Sequence, residues 1–265
     1  MITPNSIHCI DVIEGLRQIQ SDTITLLITS PPYNVGIKEY SDTQDDLPYF
    51  NYIDWLANIF KESYRVLRIG GRCIINIDAM MNRQEDKEQE YIRDIRTDLA
   101  IRLKNIGYKF FGEHIWWKNG QWNGKKTAWG SYCNCSFPAV RRSYEYVLVY
   151  SKEQFRLEKN SESGEADITA EEFQKYIDSF WAIQPETRNL GSHPVPFPLG
   201  LPLRCIKLYS YTNDIILDCF SGVGTTCLAA KIAKRRYIGL DISQEYCDYA
   251  KNRLSVEIDL FEQEL

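Results

Sequence analysis

The sequence predicts an α/β domain with a parallel-rich sheet. Short apolar, β-branched runs alternate with stretches of helical spacing along the chain. A glycine turn joins strand to helix in the last third. The 265 residues, 44% hydrophobic and 13% aromatic, supply one large core and exclude disorder as the overall state.

Taken in order, Val12, Ile13, Leu16 and Ile19 have helical spacing, and Asp11 stands where an N-cap belongs. Thr25 to Thr29 predicts a buried strand that stops at Ser30-Pro31-Pro32-Tyr33, where two prolines hold the backbone extended. From Tyr49 to Leu67, Ile53, Leu56, Ile59, Phe60, Ser63 and Leu67 recur at three- and four-residue intervals. Gly70-Gly71 then predicts a helix stop, followed by a strand from Cys73 to Ile77. The alternation repeats with an amphipathic helix around Tyr91 to Leu103, Gly107 as its C-cap, and a strand from Phe110 to Trp117. A long aromatic connection leads to a strand at Tyr146 to Tyr150, and the polar, acidic residues 151–188 predict a surface excursion. The last third predicts strand Ile215 to Asp218, helix Thr226 to Lys234, and strand Tyr237 to Leu240 ending at Asp241. This is a strand-loop-helix-strand unit suited to a nucleotide.

The 31 basic and 36 acidic residues sum to −5, a total that points to no polyanionic partner. Eight cysteines lack a paired zinc spacing, Cys133 and Cys135 stand too close together for one, and three histidines add no metal site, so reduced intracellular thiols are expected. His114 falls within a strand and is expected to be structural. No basic segment followed by an apolar run opens the sequence, and no apolar run reaches the roughly 18 residues of a membrane span, so a cytoplasmic protein is expected.

Two motifs carry the chemistry. In Asp218-Cys219-Phe220-Ser221-Gly222-Val223-Gly224-Thr225-Thr226, the glycines allow a tight turn, and the amides at the following helix start favour a carboxylate or phosphate. Asp241, ending the next strand, stands where a carboxylate takes two ribose hydroxyls. Cys227 occupies the place of the third glycine that a dinucleotide site prefers, which disfavours a nicotinamide-dependent oxidoreductase. In Ser30-Pro31-Pro32-Tyr33 the prolines direct carbonyl oxygens into the cleft beyond the strand, and Tyr33 offers a ring on which a planar base stacks.

Ser30-Pro31-Pro32-Tyr33 resembles the (Ser/Asp/Asn)-Pro-Pro-(Tyr/Phe/Trp) motif of DNA methyltransferases that modify exocyclic amino groups. Phe220-Ser221-Gly222-Val223-Gly224 resembles their Phe-x-Gly-x-Gly motif for S-adenosylmethionine. The order, catalytic motif first, is that of the beta group, and the resemblance covers residues 6–82, 107–151 and 181–254. It implies one Rossmann-like S-adenosylmethionine-dependent methyltransferase domain over 1–265. The catalytic half would span 6–151 and the cofactor half 191–254, with recognition loops at about 119–142 and 151–190.

Carried over residue by residue, the resemblance places Asp218, Phe220, Ser221, Gly222 and Gly224 along the cofactor, with Thr225 and Thr226 at the helix start and Asp241 on the ribose. Asp11 would reach the adenine amino group or serve only as an N-cap. Pro194 and Phe197 belong to a segment expected to pack at the methionine end, although Phe197 stands where many relatives carry a lysine. Ser30 and the Pro31 carbonyl would accept the amino hydrogens, with Pro32 fixing the loop and Tyr33 stacked on an extruded base. No proline is followed by cysteine, so the dipeptide typical of cytosine C5 methylation is absent. A serine at the first motif position leans toward cytosine N4, with adenine N6 as the alternative.

Charge is unevenly spread. From Asn105 to Arg142 six basic residues face one acid, Glu113, giving +5 alongside four of the six tryptophans. Lys118, Trp122, Lys125, Lys126, Trp129, Arg141 and Arg142 are therefore expected to grip double-stranded DNA. The resemblance further implies a restriction-modification role without a metal, in an enzyme whose relatives often form homodimers. A non-catalytic DNA-binding protein on the same fold is the competing class, and the intact motifs argue against it.

Overall fold

The computed structural model describes residues 2–34, 47–78, 80, 81, 93–118, 131–138, 140, 143–187 and 196–261. Ten strands are described: β1 Ser6–Cys9, β2 Ile24–Thr29, β3 Leu67–Ile77, β4 Met80–Met81, β5 Arg93–Asp94, β6 Tyr108–Trp117, β7 Tyr144–Lys152, β8 Phe180–Ala182, β9 Ile215–Asp218 and β10 Arg236–Asp241. Seven helices accompany them: α1 Val12–Arg17, α2 Tyr49–Val66, α3 Ile95–Ile106, α4 Ala170–Tyr176, α5 Gly200–Tyr209, α6 Thr225–Ile232 and α7 Gln244–Phe261.

Eight strands form one sheet in the order β1-β10-β9-β2-β3-β7-β6-β8, while β4 and β5 pair separately. β1, β10, β9, β2 and β3 run parallel to one another. β7 is antiparallel to β3 and β6, and β8 joins β6 in parallel. Parallel strands are covered on both faces, and β2 shows this, since all six of its residues are buried. Leu27 faces a core built with Leu56, Phe60 and Leu99, while Leu26 and Ile28 face one built with Leu201, Ile206 and Leu228.

The local stops behave as their chemistry dictates at most positions. Asp11 caps α1 by accepting from the Ile13 and Glu14 amides at 2.9 and 3.1 Å, and Gly107 closes α3 at φ 116°. Gly70-Gly71 does not stop α2. The chain turns extended at Leu67, and both glycines lie inside β3. A Cβ at Gly70 would strike the Arg156 carbonyl, so the glycine serves close approach of the segment after β7. The expected surface excursion over 151–188 also needs correction. α4 buries no residue, but Trp181 of β8 is fully buried, stacks on His114 at 4.0 Å and completes the sheet edge. His114 is structural as expected, bonded to the Asp178 carbonyl and the Tyr209 hydroxyl, each at 2.9 Å.

From β2 the chain proceeds to β3 on one side, and from β9 to β10 on the other. β2 and β9 are neighbours, so the crevice at their carboxyl ends is the topological switch point where open α/β sheets bind ligands. Ser30 follows β2 there, and Cys219 follows β9.

Candidate active site

A cavity of roughly 270 Å³ opens at this switch point. Ser30, Pro31, Pro32 and Tyr33 line it together with Phe220, Ser221, Gly222, Thr225 and Asp241, and Asp11, Phe197 and Trp55 join them. Two motifs about 190 positions apart in sequence thus share one wall.

At the glycine end, Gly224 has φ 77° and caps α6, and a Cβ there would lie 2.9 Å from the Ala250 Cβ. Only glycine fits without strain. Asp241 receives the Gly222 amide on Oδ2 at 2.7 Å and the Ser243 amide on Oδ1 at 2.9 Å, while burial pushes its carboxyl above the usual range. Its remaining lone pairs suit vicinal hydroxyls. The Phe220 and Trp55 rings pack on each other in the wall, 5.7 Å apart and tilted by 52°, and give it an aromatic surface. Ser221 Oγ and Asn76 Oδ1 are buried in residues of this wall without a hydrogen-bond partner, as expected of groups that await a ligand. The donor set therefore fits an adenosine-bearing group.

Not every predicted residue reaches the cavity. Asp218 lies behind the wall, where its carboxylate accepts from the Thr29 hydroxyl at 2.7 Å and the Phe220 amide at 3.1 Å. Burial raises its pKa to about 6. It braces β2 against the glycine turn instead of lining the cofactor space. Gly224 and Thr226 likewise shape the turn from behind. Asp11 both caps α1 and lines the cavity.

At the proline end, the Tyr52 hydroxyl donates to the Pro32 carbonyl at 2.8 Å and so fixes the loop. The Tyr33 hydroxyl donates to Glu145 Oε2 at 3.0 Å and sits 3.3 Å from the Ser30 hydroxyl. Burial, then the Glu145 charge, pushes Tyr33 well above the ordinary tyrosine pKa, so it keeps its proton. Asn76 donates to Glu145 at 2.6 Å and to the Tyr33 oxygen at 3.0 Å. Tyr52, Trp55, Asn76 and Glu145 were not legible as site residues, because strand and helix periodicity assigns a face and not a partner.

Lys118 pairs its ammonium with Glu145 Oε1 and lies 4.9 Å from the Trp116 ring, with a side chain 23% exposed. In the structure its ammonium is thus paired with a carboxylate of the cavity wall. Trp122, Lys125, Lys126, Trp129, Arg141, Arg142 and Pro194 lie outside the described residues. Among the described residues no cluster of three or more His, Cys, Asp or Glu could hold a metal, and no helix is long and apolar enough to cross a membrane. All eight cysteines are free.

The family model for DNA methylases, of the N6/N4 type, matches residues 24–252. The chain belongs to this family. This DNA methylase is 34% identical over 171 residues to the type II methyltransferase M.MjaVI of Methanocaldococcus jannaschii, covering 64% of the chain and 82% of that protein. It is 27% identical to the type II methyltransferase M.HpaI of Haemophilus parainfluenzae, with 96% and 75% covered. Among solved structures, a DNA modification methylase of Thermus thermophilus, crystallised with S-adenosyl-L-methionine, superposes with a TM-score of 0.74 at 25% identity over 96% and 94% of the two chains. The cytosine-N4-specific PvuII DNA methyltransferase shares the fold, with a TM-score of 0.74 at 19% identity over 99% and 93% of the two chains.

Proposed function

We propose that this DNA methylase transfers a methyl group from S-adenosyl-L-methionine to the N4 amino group of cytosine within a short duplex sequence, as the modification enzyme of a restriction-modification system. The observation that carries this is the single cavity shared by Ser30-Pro31-Pro32-Tyr33 and the Phe220 to Thr225 turn.

The cofactor supplies a methyl group on a sulfonium, a strong electrophile with a neutral leaving group. Asp241 would hold the ribose side, and Phe220, Trp55, Thr225, Asp11 and Phe197 would complete the wall around the rest of the cofactor. A cytosine amine is conjugated with its ring, so it must become more tetrahedral before its lone pair can attack. The Ser30 oxygen and the Pro31 carbonyl accept its two hydrogens and draw it out of plane, which is electrostatic work done by preorganised groups. The Pro32 carbonyl already belongs to Tyr52, which separates the roles of the two prolines. Tyr33 stacks on the extruded base.

The basic, tryptophan-rich residues at 119–142 would supply contacts to DNA, and the +5 of the stretch around them is masked in the chain total by acids elsewhere. Ser30 at the first motif position favours cytosine. Digestion of methylated DNA to nucleosides, followed by mass spectrometry, is expected to yield N4-methylcytosine; N6-methyladenine as the only product overturns the choice of base.

A further inference from the structure

Glu145 is a buried ionisable group of the cavity wall that the mechanism above does not use. It sits on β7, is 7% exposed and lines the cavity. Its carboxylate takes three donors: the Tyr33 hydroxyl at 3.0 Å and Asn76 Nδ2 at 2.6 Å on Oε2, and the Lys118 ammonium on Oε1. Placing a carboxylate there requires desolvation, which such partners offset.

We propose that Glu145 is a positioning residue that sets the direction of a Ser30-Tyr33-Glu145 hydrogen-bond chain, so that the Ser30 oxygen meets the target amino group as an acceptor. A serine hydroxyl alone has no fixed polarity, since it donates one hydrogen and accepts on two lone pairs. An amine that must give up its hydrogens to acceptors needs the second role. Tyr33 has one proton, and the anionic oxygen of Glu145 claims it. Toward Ser30, 3.3 Å away, the tyrosine oxygen then offers only lone pairs. The Ser30 hydrogen is then directed to Tyr33, and its oxygen, which Asn76 Nδ2 approaches only at 3.4 Å, is left as an acceptor for the target amine.

Asn76 locks the same direction. The carboxylate admits only its NH2 side, because the opposite flip would set two oxygens against each other. In that orientation Nδ2 also reaches the Tyr33 oxygen at 3.0 Å, filling one of its lone pairs and leaving the other for Ser30. Lys118 pairs with the other oxygen of the carboxylate and is the last described residue before the basic stretch. In this chain Tyr33 thus has a task beyond stacking that a phenylalanine could not perform.

The chain of bonds rests on the assignment of Ser30 to the target amine, and the test separates the two. Tyr33→Phe keeps the stacking ring and removes the link; Glu145→Gln keeps the shape and removes the charge. Single-turnover methylation of duplex DNA from labelled S-adenosyl-L-methionine is expected to slow by about 10- to 100-fold in each variant. KM for DNA and Kd for the cofactor should change by less than about threefold. The double variant is expected to be no slower than the slower single one, since both break one chain. A Tyr33→Phe enzyme within about twofold of the wild-type rate, or multiplicative losses in the double variant, overturns the relay while leaving the methyltransferase assignment standing. A wild-type protein that transfers no methyl to DNA overturns both. Cofactor binding reports folding of each variant, and if Glu145→Gln does not fold, Tyr33→Phe decides alone.

Discussion

Replacing Asp241 by asparagine tests the cofactor end with a change of almost no volume. The two carboxylate oxygens serve different backbone donors, Gly222 N on Oδ2 at 2.7 Å and Ser243 N on Oδ1 at 2.9 Å. An amide has one oxygen, so in either flip its NH2 faces a backbone N–H. One buried donor is left unsatisfied, at about 1–3 kcal/mol. Burial raises the Asp241 pKa, so losing the charge recovers part of this and favours the lower end. At roughly 2–4 °C per kcal/mol for a domain of this size, Tm should fall by about 2–6 °C. Binding changes for a separate reason. Ribose hydroxyls lose charge-assisted acceptors, at about 1 kcal/mol per bond, so two bonds raise the cofactor Kd about 30-fold. Isothermal titration with S-adenosyl-L-methionine and a thermal scan of the unliganded protein read the two effects separately. A Kd within about threefold of wild type, together with an unchanged Tm, would refute the assignment of Asp241 to the ribose.

Three further outcomes follow from the same geometry. The Asp218 carboxyl is raised by burial from 3.8 to about 6 in the folded state, so the native protein binds the proton more tightly than the unfolded chain. Its contribution to stability is full below about pH 3.8 and is lost as pH rises through 6; Asp218→Asn should remove that slope, at most about 1.4 kcal/mol per pH unit, from the difference in stability-versus-pH curves by urea titration. Gly224→Ala places a Cβ at φ 77° and 2.9 Å from Ala250, and should cost about 1–3 kcal/mol in urea unfolding while weakening cofactor binding; a neutral effect on both would mean the turn is not held as drawn. Trp181→Ala empties a fully buried site stacked on His114 and should lower stability by about 3–5 kcal/mol, with Kd for the cofactor unchanged; a loss below about 1 kcal/mol would show that β8 is not part of the core.

The features that could be read directly were those specified within a few residues. Asp11 as a cap, Gly107 as a left-handed stop, the buried run of β2 and the two cofactor and base motifs all follow from neighbours in sequence. Where a residue's role depends on a distant partner, local signals misled. Gly70-Gly71 has the composition of a helix stop but answers to the Arg156 carbonyl, and the acidic stretch after β7 conceals a buried tryptophan. Asp218 and Asp241 both end strands beside the glycine turn, yet Asp241 faces the cavity while Asp218 is turned to Thr29.

By itself the sequence determined an alternating α/β chain, the Asp11 cap and the Gly107 stop, and two motifs whose resemblance to those of amino-group DNA methyltransferases implies a sulfonium cofactor and a conjugated amine. Only the tertiary structure decided that the ends of β2 and β9 meet, that Glu145 stands behind Tyr33 from 112 positions away, and that Lys118 pairs with Glu145. The physical reason is that helix and strand signals act over one or two turns of chain. Strand order and the pairing of buried polar groups are instead settled by covering both faces of one sheet while leaving no buried charge alone.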